Sequence, residues 1–121
     1  MKYIVLLICA TFCLSVSAEI EPSDSYLDFW DVVIGDSETL DFELVNGHPF
    51  AVEIWNVDIN GDFGAFDINE DCLGVLYPGE NCYVEVTFTP DEVERYWGAV
   101  EVETSTREWI QIDLQGDGVR W

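Results

Sequence analysis

The sequence predicts an all-β fold, seven short strands arranged as an antiparallel two-sheet sandwich. Three observations point there. Apolar and polar residues alternate with period two along most of the chain beyond residue 18. No window sustains the spacing of an amphipathic helix. Clusters of Gly, Asn, Asp and Pro interrupt the alternation at intervals that suit strand connections in a chain of this length.

The strands fall near 26–34, 38–45, 51–59, 63–69, 82–89, 97–104 and 109–115. In the second, Leu40, Phe42 and Leu44 alternate with Asp41, Glu43 and Val45, so one face enters a core while acids face water. The third changes phase: its apolar set runs Val52, Ile54, then Trp55, Val57, Ile59. A slip of one residue signals a β-bulge or a strand buried on both faces. The fifth sets Cys82, Val84, Val86 and Phe88 against Tyr83, Glu85, Thr87 and Thr89. The last two pair Val100 and Val102 with Glu101 and Glu103, then Ile110, Ile112 and Leu114 with Gln111, Asp113 and Gln115. Turn residues separate them at Gly35-Asp36-Ser37, Asn46-Gly47-His48-Pro49, Asn60-Gly61-Asp62, Pro78-Gly79-Glu80-Asn81 and Thr89-Pro90-Asp91.

The amino terminus has a different character. Lys2 precedes an apolar run from Tyr3 to Leu14 and then Ser15-Val16-Ser17-Ala18. Such a basic start, apolar core and small-x-small ending predict a secretory signal peptide over 1–18, cut after Ala18. The run is too short for a membrane-spanning helix. Residues 19–24 then form a short lead, and 25–121 form one domain with no linker or repeat. The expected location is outside the cytoplasm: extracellular, at the cell surface or in the periplasm.

Charge excludes several partner classes. The 121 residues carry 25 Asp+Glu against 4 Lys+Arg, a net charge of −21. Losing Lys2 with the signal takes the remaining 103 residues to −22, with Arg95, Arg107 and Arg120 the only cations and no lysine. A phosphate backbone or anionic lipid surface is held by cations, so nucleic acid and membrane surfaces are not expected partners. The acids suit a solvated shell, adaptation to a saline medium, or a basic partner.

Chemistry is sparse. Cys9 and Cys13 leave with the signal, and the remaining Cys72 and Cys82 are expected to pair with each other. Closing that loop is worth roughly 2.7 kcal/mol on a chain-entropy argument. Metal ligation by the two thiols would need further ligands, and the single histidine, His48, reads as a turn residue rather than a general base. There is no nucleophile elbow and no lysine for Schiff-base chemistry, so an enzyme is not expected. Calcium is a candidate cofactor at two D-x-N-x-D stretches, Asp58, Asn60, Asp62 and Asp67, Asn69, Asp71. Both present hard oxygen ligands, although neither completes an EF-hand and hairpin turns use the same residues. Sugar stacking is a further candidate. Trp97 and Trp109 face outward by alternation, pairing near Gln115 and Glu103, yet stand roughly 20 Å apart, too far for one ring. Sandwich cores also consume tryptophans.

Several segments together resemble a known family. Leu27-Asp28-Phe29-Trp30-Asp31-Val32-Val33-Ile34-Gly35 is similar to the L-x-F-G-x-V-x-V-G opening of ASH/Hydin-type and choice-of-anchor-D Ig-like domains. Asn46-Gly47 and Gly61-Asp62-Phe63 resemble their N-x-G turn and G-D-F segment. Cys72 to Pro90 reads C-x3-L-x-P-G-x-x-C-x-V-x-V-x-F-x-P, and Leu114-Gln115-Gly116-Asp117-Gly118 resembles the closing L-x-G-x-G. Trp30 stands where that family commonly has Gly. The resemblance spans about 27–118 and implies a seven-stranded antiparallel Ig-like sandwich in the major-sperm-protein and PapD-like group. Such domains serve as interaction or scaffold modules, with ciliary and centrosomal members in eukaryotes and exported ones in bacteria. The expectation is an exported, non-catalytic module for protein interaction or surface assembly. The alternative is a calcium- or carbohydrate-binding module.

Overall fold

The computed structural model describes residues 19–61 and 64–120. The expected signal peptide, and Asp62 of the first D-x-N-x-D stretch, lie outside the described residues. Among the described residues the chain is all β, an Ig-like sandwich of two sheets. Its strands are β1 (Ile20–Pro22), β2 (Tyr26–Val33), β3 (Glu38–Asn46), β4 (Val52–Gly61), β5 (Phe66–Glu70), β6 (Gly74–Leu76), β7 (Asn81–Phe88), β8 (Arg95–Thr104) and β9 (Trp109–Val119). One sheet has the order β1-β3-β7-β5, the other β2-β9-β8-β4-β6.

Among the described residues the strand count is nine, not seven. The two additions, β1 and β6, are three residues each, too short to show a period. β1 lies in the segment read as a lead and pairs with β3, burying Ile20. Pairing is antiparallel except between β2 and β9, which run parallel at the edge of the five-stranded sheet. Alternation along one strand carries no information about its neighbour's direction, so that exception was not visible in the sequence.

The apolar positions of the alternation fill the space between sheets. Phe42, Leu44, Val84, Val86 and Phe88 enter from one sheet, Ile54, Val100, Val102, Ile112 and Leu114 from the other. Phe88 is the hub of an aromatic group, its ring centroid 5.0 Å from Phe66, 5.5 Å from Phe29 and 5.4 Å from Tyr96. Gly116 explains the first glycine of the closing L-x-G-x-G. A Cβ there would stand 2.5 Å from the Phe88 ring, so the strand approaches the core only without a side chain. The disulfide joins Cys72 to Cys82, both buried, and ties the segment before β6 to the start of β7.

Two bulges shape the five-stranded sheet. In β4 the register against β8 slips between Ile54 and Asn56, so Trp55 is the extra residue. The phase change in the sequence is therefore a bulge and not two-sided burial. In β2 the register slips between Asp28 and Asp31, and Trp30 within it has φ 57°. Its amide donates to Asp28 Oδ1 at 2.9 Å. A left-handed backbone favours glycine, which accounts for the residue usual at this position, and costs an L-residue about 1–2 kcal/mol. Trp30 is 73% exposed, so little burial offsets that cost.

One buried amide organises an end of the sandwich. Asn46, 1% exposed, donates through Nδ2 to Phe50 O (3.0 Å) and Leu76 O (2.8 Å) and accepts from the His48 amide (2.8 Å). Its backbone also binds the turn at Gly79-Glu80 from both sides. Asn46→Asp keeps the shape but sets a carboxylate against two carbonyl oxygens. We expect a loss of about 3 kcal/mol or more in urea denaturation, and a loss below about 1 kcal/mol would show that the network does not hold this end. Trp30→Gly is expected to raise stability by about 0.5–1 kcal/mol, the relieved strain less the entropy of the added glycine; an unchanged or lower midpoint would mean the indole packs usefully.

Candidate recognition surface

The core takes phenylalanines, and all four described tryptophans stand at the surface. Trp30, Trp55, Trp97 and Trp109 are 73%, 56%, 59% and 59% exposed. The expectation that the core consumes tryptophan is thus corrected. All four lie on strands of the five-stranded sheet, where residues facing away from the core alternate with buried ones.

The pairing of β8 with β9 places Trp97 opposite Gln115 and Glu103 opposite Trp109, as a hairpin near Ser105-Thr106 requires. The two indoles therefore sit at opposite ends of the outer face. Sequence reasoning missed the partner that the bulge supplies. Because Trp55 is the extra residue opposite Glu103, it turns outward on the far side of Glu103 from Trp109. Trp55, Glu103, Thr104, Arg107, Glu108 and Trp109 line one groove of about 270 Å³. The phase slip at Trp55 was the only sequence signal for it.

A polar relay fixes the hairpin that carries this groove. Arg107 occupies the turn with φ 66°, its amide bonded to Thr104 O. Buried Thr104 shares a hydrogen bond with Thr106 at 2.7 Å and accepts from the Glu108 amide at 3.3 Å. Glu108 Oε1 accepts from Thr106 and from His48 Nε2 at 2.8 Å, and its Oε2 accepts from the Ile20 amide at 2.9 Å. His48 stacks on Phe50, centroids 4.9 Å apart. The lone histidine is a buttress joining its own bend to β1 and the β8–β9 hairpin. Burial would raise the Glu108 carboxyl, but the hydrogen bonds from Thr106, His48 and Ile20, with charge on His48, outweigh it and hold the group below its ordinary value.

The other end of the outer face holds Tyr26, Asp28, Trp30, Trp97 and an ion pair. Arg95 donates from Nε and Nη2 to the two oxygens of Asp117 at 2.8 and 3.3 Å, and these bonds lower the Asp117 carboxyl. The Tyr26 hydroxyl reaches Gln115 Oε1 at 3.0 Å across the parallel pair.

The acidic stretches lie apart. Asp58 and Asn60 are on β4 in the five-stranded sheet, where Asn56 donates to Asp58 (2.7 Å) and Asn60 to Glu101 (3.4 Å). Asp67 and Asn69 are on β5 in the other sheet, and Asp71 follows that strand. Asn69 donates to Glu85, and Asp71 accepts from the Tyr83 amide at 2.8 Å. Asn69 and Asp71 share a shallow groove of about 320 Å³ with Asp41, Glu70, Tyr83 and Glu85.

Residues 18–117 match the model of the HYDIN/CFA65/VesB-like Ig-like domain. The chain belongs to this family. Solved structures of similar fold include the secreted serine protease VesC from Vibrio cholerae, at 20% identity and TM-score 0.67 over 88% of this chain. The chain spans 24% of VesC. The human CEP192 ASH/PapD-like domain 7 is similar at 18% identity and TM-score 0.72, with 87% of this chain covering 88% of that domain. The periplasmic chaperone SfaE is similar at 11% identity and TM-score 0.57, covering 82% of this chain and 56% of its own. No curated protein matches the chain. These identities carry the fold, and the ASH and PapD-like likeness agrees with the resemblance in the sequence.

In this family member the Glu108 relay has a pH signature. A carboxyl lowered by folding adds stability above its unfolded value, near 4.3, and loses it as pH falls through the folded value. Wild type is therefore expected to exceed Glu108→Gln in stability at pH 7, with the gap closing below about pH 4. Urea midpoints at pH 7 and pH 3 measure this, and a gap independent of pH would contradict it.

Proposed function

We propose that this chain is an exported, non-catalytic Ig-like module that binds a protein partner outside the cytoplasm. The observation that carries the reading is Trp30, an indole 73% exposed on a left-handed backbone in edge strand β2. A bulky side chain held in a costly conformation with no burial to offset it points to a use outside the fold. Exposed tryptophans are common anchors of protein interfaces. Tyr26 and Trp97 at the same end extend the apolar area, and the bulge blunts edge-to-edge pairing there.

Export is supported by the signal-like segment at 1–18, by the disulfide, and by likeness to domains in a secreted protease and a periplasmic chaperone. The acids act, on this reading, as a solvating shell, and the groove around Asp71 is part of it. Neither a cofactor nor a nucleic acid enters the proposal. Among the described residues no helix is long and apolar enough to cross a membrane.

Site-specific photo-crosslinking tests the reading. A benzoylphenylalanine at position 30 is expected to capture a discrete protein in the native envelope or medium, and one at exposed Thr39 on the other sheet is not. Identical patterns at the two positions would remove Trp30 as the anchor. Retention of the chain in the cytoplasm with two free thiols would remove the exported setting.

A further inference from the structure

We infer that the groove between Trp55 and Trp109 is a binding site for a neutral oligosaccharide. This goes beyond the protein-binding reading and uses the opposite end of the sheet. The two indoles flank Glu103 across adjacent strands β4, β8 and β9, which sets them two strand spacings apart, about 10 Å. That separation suits alternate rings of an extended glycan, one stacked on each indole with a further ring between them over Glu103. Both rings are more than half exposed, and neither is needed by the core.

The polar groups select the ligand class. A chain of net charge −21 repels anions, which argues against acidic glycans and phosphates. Of the two acids lining the groove, Glu108 is engaged by Thr106, His48 and the Ile20 amide, which leaves Glu103 against Arg107 and no surplus acid to hold a cation. Among the described residues the Arg107 guanidinium has no hydrogen bond or ion pair, whereas Arg95 is spent on Asp117. A neutral ligand with apolar ring faces and hydroxyl edges fits what remains. Glu103 accepts hydroxyl protons, and the Arg107 fork donates to neighbouring hydroxyl oxygens. Each indole covers the C–H face of a ring. Trp55 is partly steadied for this by its Nε1 bond to Glu53 Oε1 at 3.2 Å, and the hairpin by the Thr104–Thr106–Glu108–His48 relay. The volume, about 270 Å³, lies just below the usual range of small-ligand pockets, as suits an open groove that grips only part of a chain.

The test is NMR titration of the intact disulfide-bonded protein, following the indole N–H signals. The probes are cellohexaose, mannohexaose and chitohexaose, with polygalacturonate and hexa-arginine as charged comparators. At least one neutral hexasaccharide is expected to shift the Trp55 and Trp109 signals with Kd in the millimolar range or below. Trp55→Ala and Trp109→Ala are each expected to weaken binding about tenfold or more, and Tyr83→Ala, on the other sheet, to leave it unchanged. All three positions are exposed, so the variants should fold, and their melts check this. The inference fails if no neutral hexasaccharide shifts these signals at millimolar concentration. It fails equally if only a charged probe does, or if binding survives both substitutions. None of these failures touches the role proposed for Trp30.

Discussion

The amide of Asn46 is the constraint on which the working end of this sandwich rests. It is a polar side chain sealed in an apolar interior, and such a group is tolerated only when every donor and acceptor is paired. Pairing it fixes four pieces of chain at once: the end of β3, the bend through Phe50, strand β6, and the turn at Gly79-Glu80. The bend it shapes presents His48 to Glu108, and Glu108 in turn holds the N-terminal strand and the β8–β9 hairpin. From one buried amide a chain of directional bonds runs to Arg107 and Trp109 at the surface. Hydrophobic burial alone does not do this, because it is indifferent to the direction from which a group arrives.

The sequence discloses some of this and conceals the rest for identifiable reasons. Period-two alternation revealed β8 and β9 and which face of each is buried, and a hairpin near Ser105-Thr106 set their register. That register placed Trp97 opposite Gln115 and Trp109 opposite Glu103, and hence the wide gap between the two indoles. The phase change at Trp55 marked a bulge, but which strand lay beside it depended on long-range pairing, so the meeting of Trp55 with Trp109 was hidden. Asn46 looked like a turn residue, since Asn-Gly is a turn signal whatever its surroundings. Its burial comes from β6, a strand too short to announce itself. Glu108 was one acid among 25, with nothing local to distinguish it.

The division of aromatic residues has a physical logic. Phenylalanine has no polar atom, so Phe29, Phe66 and Phe88 pack without a partner for an N–H or O–H. An indole in the same place would need an acceptor between two sheets whose backbone groups are already paired. Placing the four described tryptophans outside avoids that cost but exposes large apolar surfaces, which in an ordinary protein invite association. A dense shell of carboxylates offsets the risk, because copies that repel one another rarely bring their indoles together. The acidity and the exposed tryptophans are then two halves of one arrangement.

The same shell gives meaning to the contrast between Arg95 and Arg107. In a shell so rich in acids, a guanidinium is expected to be captured by the nearest carboxylate, and Arg95 is, by both oxygens of Asp117. Arg107 shares its groove with Glu103 and Glu108 and yet pairs with neither. The turn explains how: a left-handed backbone at Arg107 sets the direction in which its side chain leaves the hairpin, while the Glu108 carboxylate is turned inward to His48 and Ile20. The same relay that stabilises the hairpin thus removes the nearest acid from competition and leaves the exposed Arg107 guanidinium between two indoles without a carboxylate partner. An arrangement of that kind adds little to folding, since exposed ion pairs are worth little whether made or not. Its cost to the fold is small as well, because an exposed guanidinium keeps its hydration, so the hairpin carries Arg107 without a carboxylate partner.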